Sequence, residues 1–250
     1  TRCPYRIGLT GTLDGTNVNQ LVLEGLFGSV HRVTTTQELI QSKVLADLKI
    51  KSLMLKYPDD VCKAIANRKP RMTYKDELAF LIKYKPRTEF IAKLTVSLQG
   101  SSLVLFNFIA HGKDIFNVIK QIAPQREVFF VYGGVEGEDR EAIRHYVENN
   151  PNVIVVASYK TFSTGINIKN LHNVVFGSPS KSRIRVFQSI GRGLRVSDQK
   201  TQATLYDIAD NLSWKSYTNT TLQHAIDRIR MYGEEHFTYK MYTIQLKDDK

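Results

Sequence analysis

Leu103-Val-Leu-Phe-Asn-Phe108 is an almost unbroken apolar run, and it is followed from Lys113 to Ile122 by Ile115, Phe116, Ile119 and Ile122 at helical spacing. The run has the length of a buried strand, and the segment after it that of a helix lying on one face. The same alternation continues along the chain. Val128-Phe-Phe-Val-Tyr132 reads as a strand, Gly133-Gly134 as a turn and Glu138 to Glu148 as a charged helix; Asn152 to Ala157, Asn173 to Phe176 and Thr204 to Asp207 read as three further strands. Strands that are apolar throughout, separated by helices, predict a parallel sheet covered on both faces. This is a doubly wound α/β fold, whose ligands lie beyond the carboxyl ends of the strands.

Outward from that core the pattern loosens. Upstream, Glu38 to Leu45 reads as a helix and Ile50 to Lys56 as a strand of period two. Tyr74 to Tyr84 and Thr88 to Leu98 read as two helices divided at Lys85-Pro86-Arg87, because Pro86 has no amide proton and disfavours helical geometry at Lys85. Downstream, Thr220 to Tyr232 reads as a helix and Phe237 to Leu246 as an edge strand.

Composition narrows the partners. The 250 residues carry a formal net charge of +11, which favours a polyanion, since clustered Lys and Arg release counterions from phosphates. Nucleic acid leads over an anionic membrane surface, because no apolar run of about 18 residues and no signal segment is found. Cys3 and Cys62 have neither zinc nor disulfide spacing, so a reducing, cytoplasmic compartment fits. The opening, Thr-Arg-Cys-Pro-Tyr-Arg running straight into Ile7-Gly8-Leu9-Thr10, reads as a piece of a longer chain.

The most specific segment is Gln188-Ser-Ile-Gly191-Arg192-Gly-Leu-Arg195. Two arginines three apart at a helix start project to one side and can converge on one anion. Planar, permanently charged guanidinium groups suit the oxygens of a transferring phosphoryl group. A bare pair of arginines would read as a solvated basic helix start. The ordered Gln, Gly and two Arg after a strand and its loop favour the phosphoryl reading.

Gln188, Gly191, Arg192 and Arg195 resemble the QxxGRxxR motif of superfamily-two helicases, and other segments resemble that family in its order. Leu9-Thr10-Gly11-Thr12-Leu13 looks like the motif that closes the first motor domain and couples it to nucleic acid, with Gly11 where relatives usually have Ala. Leu103 to Phe108 with Ala110-His111-Gly112-Lys113 looks like the opening of the second motor domain. Ala157-Ser158, then Ser163-Thr164-Gly165-Ile166-Asn167, looks like a further motif, with Ser158 in place of the commoner Thr. Within the family, the wording is similar to RecG-like, repair and restriction translocases, and Thr35 to Tyr57 to the recombination helicases of T-even bacteriophages.

The resemblance implies a RecA-like domain over residues 29–207, preceded by the last strand of a first motor domain and linker (1–28) and followed by a tail packing on the motor domain (208–250). It implies ATP as the nucleotide. Arg195 and Arg192 would be the catalytic pair, with Gln188, Gly191, Gly165 and Asn167 facing the nucleotide, Ser158, His111, Lys113 and Gly133 along a DNA track, and Thr10, Gly11 and Thr12 coupling the two. No G-x-x-x-x-G-K-[ST] occurs, so the phosphate grip and Mg2+ are expected in an upstream motor domain of the same chain. Asp76-Glu77-Leu78 lacks the strand that would present a magnesium ligand and reads as a solvated helix start.

The implied activity is ATP-dependent unwinding or translocation on branched or forked DNA, in a bacterial host cytoplasm if the phage likeness holds. RNA in place of DNA stays open, as does a nucleic-acid-binding module that kept the fold and lost the motor. A nucleotide-dependent transferase would need its own phosphate loop. Tyr132-Gly133-Gly134 with Arg140 reads equally as a track element or a strand-ending turn. Trp214 reads as core packing before base stacking.

Overall fold

The structure, a computed structural model, describes residues 5–9, 17–31, 33–34, 36–42, 46–165, 168, 170–179 and 202–247. Its frame is a seven-stranded sheet in the order β3-β4-β2-β5-β6-β1-β7, built of β1 (Asp47–Lys56), β2 (Ser102–Phe106), β3 (Val128–Val131), β4 (Ile154–Ser158), β5 (Asn173–Phe176), β6 (Gln202–Asn211) and β7 (Tyr239–Gln245). Every described pairing between these strands is parallel. The RecA-like α/β architecture expected from the sequence is the one observed.

Alternation along each strand explains why the strands are apolar throughout. Leu103 and Leu105 of β2, Val155 and Ala157 of β4, and Val174 and Phe176 of β5 enter one core. Val104, Phe106, Ile154, Val156 and Val175 enter the other. The first core is covered by α7 (Gly137–Asn149), α8 (Tyr159–Gly165) and α9 (Thr220–Glu234), through Val147, Tyr159, Phe162, Met231 and Tyr232. The second lies under α3 (Asp59–Ala66), α4 (Tyr74–Lys83), α5 (Lys85–Ser97) and α6 (Ile109–Ile122), through Cys62, Leu81, Ile91, Ile115 and Ile119. Fully burying such aliphatic side chains contributes about 1.5–3 kcal/mol each. Ile122, expected on the buried stripe of α6, is 40% exposed. Gly112 lets the first turn of α6 settle on β2, since a Cβ there would lie 2.5 Å from the Phe106 ring.

The helix division falls one residue earlier than Pro86 suggested. Tyr84 is extended (φ −75°, ψ 102°) and Lys85 is the first residue of α5, which places Pro86 in the first turn, where a missing amide proton costs nothing. Two upstream helices, α1 (Asn17–Phe27) and α2 (Thr36–Gln41), complete the set among the described residues; α1 and α3 were not foreseen. Residues 5–9, where the last strand of a first motor domain was expected, are not in a strand.

Asp76-Glu77 is not the solvated helix start expected from the sequence. Asp76 closes a capping box with Thr73, accepting from the Thr73 amide at 3.0 Å. Glu77 is not solvated but 1% exposed. It accepts from the amides of Thr220 (2.9 Å) and Thr221 (2.7 Å), from Asn219 Nδ2 (3.0 Å) and from the Thr221 hydroxyl. A carboxylate from α4 thus caps the amino end of α9, where the helix dipole favours negative charge.

β7 is the edge strand the sequence suggested. It pairs with β1 from Ile50↔Tyr239 to Lys56↔Gln245, so the C-terminal segment joins the same sheet. Among the described residues no helix is long and apolar enough to cross a membrane.

Candidate nucleic-acid interface

The carboxyl ends of β3, β4, β2 and β5 lie side by side, because those strands are neighbours and parallel. Four of the expected track residues stand on or just beyond that edge, and the structure treats them differently. Ser158 ends β4 and is half-buried. Its Oγ accepts the Thr161 amide at 3.1 Å and lies 2.7 Å from Thr161 Oγ1. A hydroxyl has one donor and two acceptor sites, so one site remains. Lys113 is exposed on the first turns of α6. Gly133 is exposed beyond β3, and a Cβ there would meet nothing; a Cβ at Gly134 would fall 2.6 Å from the Tyr132 ring and require that side chain to shift.

His111 is a correction. The resemblance set it at a phosphate-facing helix start, yet it is 1% exposed. Its Nδ1 lies 3.0 Å from Ser178 Oγ, and its Nε2 is buried without a partner. Burial first, and the nearby Arg87 cation second, push its pKa down to about 3. A neutral, enclosed ring offers no cation to a phosphate. The folded pKa lies below the ordinary 6.5, so the stabilisation is full above about pH 6.5 and is lost as pH falls toward 3. Between pH 7.5 and pH 5 the chain is expected to lose about 2 kcal/mol through this group. Urea unfolding at the two pH values should show a smaller loss in His111→Asn; an identical loss would mean that His111 is not held neutral.

Gly165 ends α8. Arg192, Arg195, Gln188, Gly191, Asn167, Thr10, Gly11 and Thr12 lie outside the described residues. The last described residues before the arginine segment are Gly177, Ser178 and Pro179, and they are tightly held. Gly177 and Ser178 amides both donate to Leu105 O, at 3.0 and 3.2 Å. Asn107 N donates to Ser178 Oγ (3.1 Å) and Asn107 Nδ2 to Pro179 O (2.9 Å).

Beneath this loop are two features that sequence reasoning missed. Arg87 of α5 is fully buried, donates from Nε and Nη2 to Asp210 at 2.8 and 3.0 Å, and from Nη1 to Gly177 O at 2.8 Å. Tyr57 donates to the same carboxylate at 2.8 Å. On the opposite face of β6, Arg228 and Tyr232 hold Asp207. Both aspartates are spoken for by arginines, and among the described residues no three His, Cys, Asp or Glu are grouped as metal ligands. Trp214 is partly buried against the second core, which favours packing over base stacking.

Comparison with known proteins agrees with the fold. Residues 86–197 match the model for the helicase conserved C-terminal domain. The chain is 36% identical over 98% of its length to the ATP-dependent DNA helicase UvsW of Enterobacteria phage T4, of which it spans 50%. The crystal structure of T4 UvsW superposes with a TM-score of 0.70, covering 92% of this chain and 46% of that one. A fragment of an HsdR subunit of a type I restriction enzyme from Vibrio vulnificus YJ016 shares the fold, with a TM-score of 0.65 at 16% identity over 92% of this chain and 42% of that one. The chain thus spans about half the length of its phage relative. The family match, the shared fold and the 36% identity across nearly its whole length show that the chain carries a helicase conserved C-terminal domain over residues 86–197.

Proposed function

We propose that the chain is the C-terminal motor half of an ATP-dependent DNA helicase or translocase that acts on branched or forked DNA in recombination, repair and replication restart. The 36% identity to a DNA helicase over 98% of the chain, with Gln188, Gly191, Arg192 and Arg195 all present, carries this reading. A preceding motor domain binds ATP and Mg2+; this chain contributes Arg192 and Arg195 to the phosphoryl group, with Gln188, Gly191, Gly165 and Asn167 toward the nucleotide. Thr10, Gly11 and Thr12 couple the two domains, and residues 29–207 form the second motor domain, with 1–28 as its lead-in and 208–250 as its tail. Guanidinium donors fit phosphoryl oxygens, and Asp207 and Asp210, already paired with arginines, do not fit a magnesium site.

The DNA track in this reading runs along the carboxyl edge past Gly133, Ser158 and Lys113, with His111 acting from beneath through Ser178. Attraction of both domains to the γ-phosphate closes the cleft, and hydrolysis releases it. The net charge of +11 supplies the long-range attraction to DNA. The chain is expected to bind DNA without base preference, with log affinity falling against log salt by about 0.9 per duplex phosphate contact and about 0.7 per single-strand contact. Fluorescence anisotropy across a salt series measures this slope. Salt-independent affinity, or strong preference for one base sequence, would sink the track assignment.

A further inference from the structure

Ser178 sits where three elements meet, and two of them begin at the proposed DNA edge. Its Oγ is 3.0 Å from Nδ1 of His111, two residues before Lys113 on α6. Its carbonyl accepts from the Tyr159 hydroxyl at 3.3 Å, and Tyr159 is the residue after Ser158. Two of the three proposed track residues, Lys113 and Ser158, therefore stand within two residues of a side chain that grips Ser178. The third element approaches from the opposite direction: Arg87 Nη1 donates to Gly177 O at 2.8 Å while the same guanidinium is locked on Asp210 of β6.

All of these groups are enclosed. Ser178, His111, Tyr159 and Asp210 are each 1% exposed, and Arg87 is 0% exposed. Polar bonds in such surroundings are directional, and a loop held by them changes its arrangement in discrete steps. The backbone leaves little slack, because a Cβ at Gly177 would lie 3.2 Å from Leu105 O. Gly177-Ser178-Pro179 also leads directly into the stretch that contains Gln188, Arg192 and Arg195.

We propose that Ser178 and Arg87 are positioning residues that couple DNA binding at the starts of α6 and α8 to the arginine-bearing segment, so that DNA raises ATP turnover through the Gly177–Pro179 loop. This rests on the function proposed above. DNA seated on Ser158 and Lys113 biases the first turns of α8 and α6. Tyr159 and His111 pass that bias to Ser178, and Arg87 is the fixed post against which the loop shifts.

The test uses the full-length protein with Ser178→Ala and, separately, Arg87→Lys, which keeps the charge on Asp210 but cannot fork to Gly177 as well. Steady-state ATP turnover is measured with and without saturating forked DNA, together with the KM for ATP, the Kd for DNA and the melting temperature. The ratio of stimulated to unstimulated turnover should fall about threefold to thirtyfold in each variant, with ATP KM and DNA Kd within about twofold of the parent. A purely structural role lowers the melting temperature and leaves that ratio intact below it, and this result overturns the proposal. If Arg87→Lys fails to fold, Ser178→Ala decides alone, since it leaves the ion pair untouched. The unaltered protein and Arg195→Ala run beside them: no DNA-stimulated turnover in the first, or near-normal turnover in the second, defeats the functional reading itself.

Discussion

Arg195→Ala in the full-length protein is expected to lower ATP turnover by about 10³ to 10⁵, or about 4–7 kcal/mol of transition-state stabilisation, while changing ATP affinity far less. The asymmetry follows from when the contact matters. Charge on the transferring phosphoryl group is redistributed as the bond to the leaving group breaks, so a finger aimed at it tightens in the transition state. Arg195→Lys should recover little, since an ammonium keeps the charge but loses the planar fork. Arg192→Ala should also impair hydrolysis, with more of its effect on nucleotide binding if it meets the ground-state γ-phosphate. Steady-state ATPase with saturating branched DNA, beside nucleotide affinity, separates these outcomes. Near-normal turnover in Arg195→Ala would show that the motif had been assigned the wrong role, because a surface arginine contributes only a fraction of a kcal/mol.

How much of the molecule could be read in the sequence depended on whether its signal was local. The strands β2, β4 and β5 were legible because both their faces are buried, which leaves no polar residue to interrupt the run. β6 was legible only to Asp207, whereas it extends to Asn211. Asp207 and Asp210 look like a strand ending, and only the fold shows that arginines 21 and 123 residues away in sequence make them tolerable inside it. Glu77 was misread for the same reason: its partners are 142 to 144 residues downstream. A polar side chain advertises its exposure in sequence but never its distant partner. Within the candidate site, Ser158 and Lys113 fell at the expected edge because a strand end and a helix start fixed them. His111 did not, since the face of a helix turned toward Ser178 is set by packing against α5, β2, β3 and β4, beyond the reach of a motif.

The same long-range pairing gives the largest expected effect on stability, at Arg228. Its Nε donates to Asp207 at 2.9 Å and its Nη2 at 2.7 Å, and Tyr232, one turn further along α9, donates to the same carboxylate at 3.0 Å. The two charged side chains are 5% and 1% exposed. Burial alone would pull the Arg228 pKa down, but Asp207 at bonding distance outweighs it and holds the group above its ordinary value, so the guanidinium stays charged. Arg228→Met keeps most of the side-chain volume and strands a carboxylate in the centre of the sheet, with only the Tyr232 hydroxyl and no cation. That is expected to cost about 3–5 kcal/mol, the range for breaking a buried pair from one side. For a chain of this size the melting temperature should fall by about 6–20 °C. The companion variant distinguishes a lost attraction from an abandoned charge. Asp207→Asn combined with Arg228→Met removes both charges, and because the pair's Coulombic gain is largely cancelled by its desolvation, the double variant should be more stable than Arg228→Met alone. Thermal and urea unfolding of both variants measure the difference. A loss below about 1 kcal/mol in Arg228→Met would place the pair with exposed ion pairs and undo the claim that it holds α9 to β6.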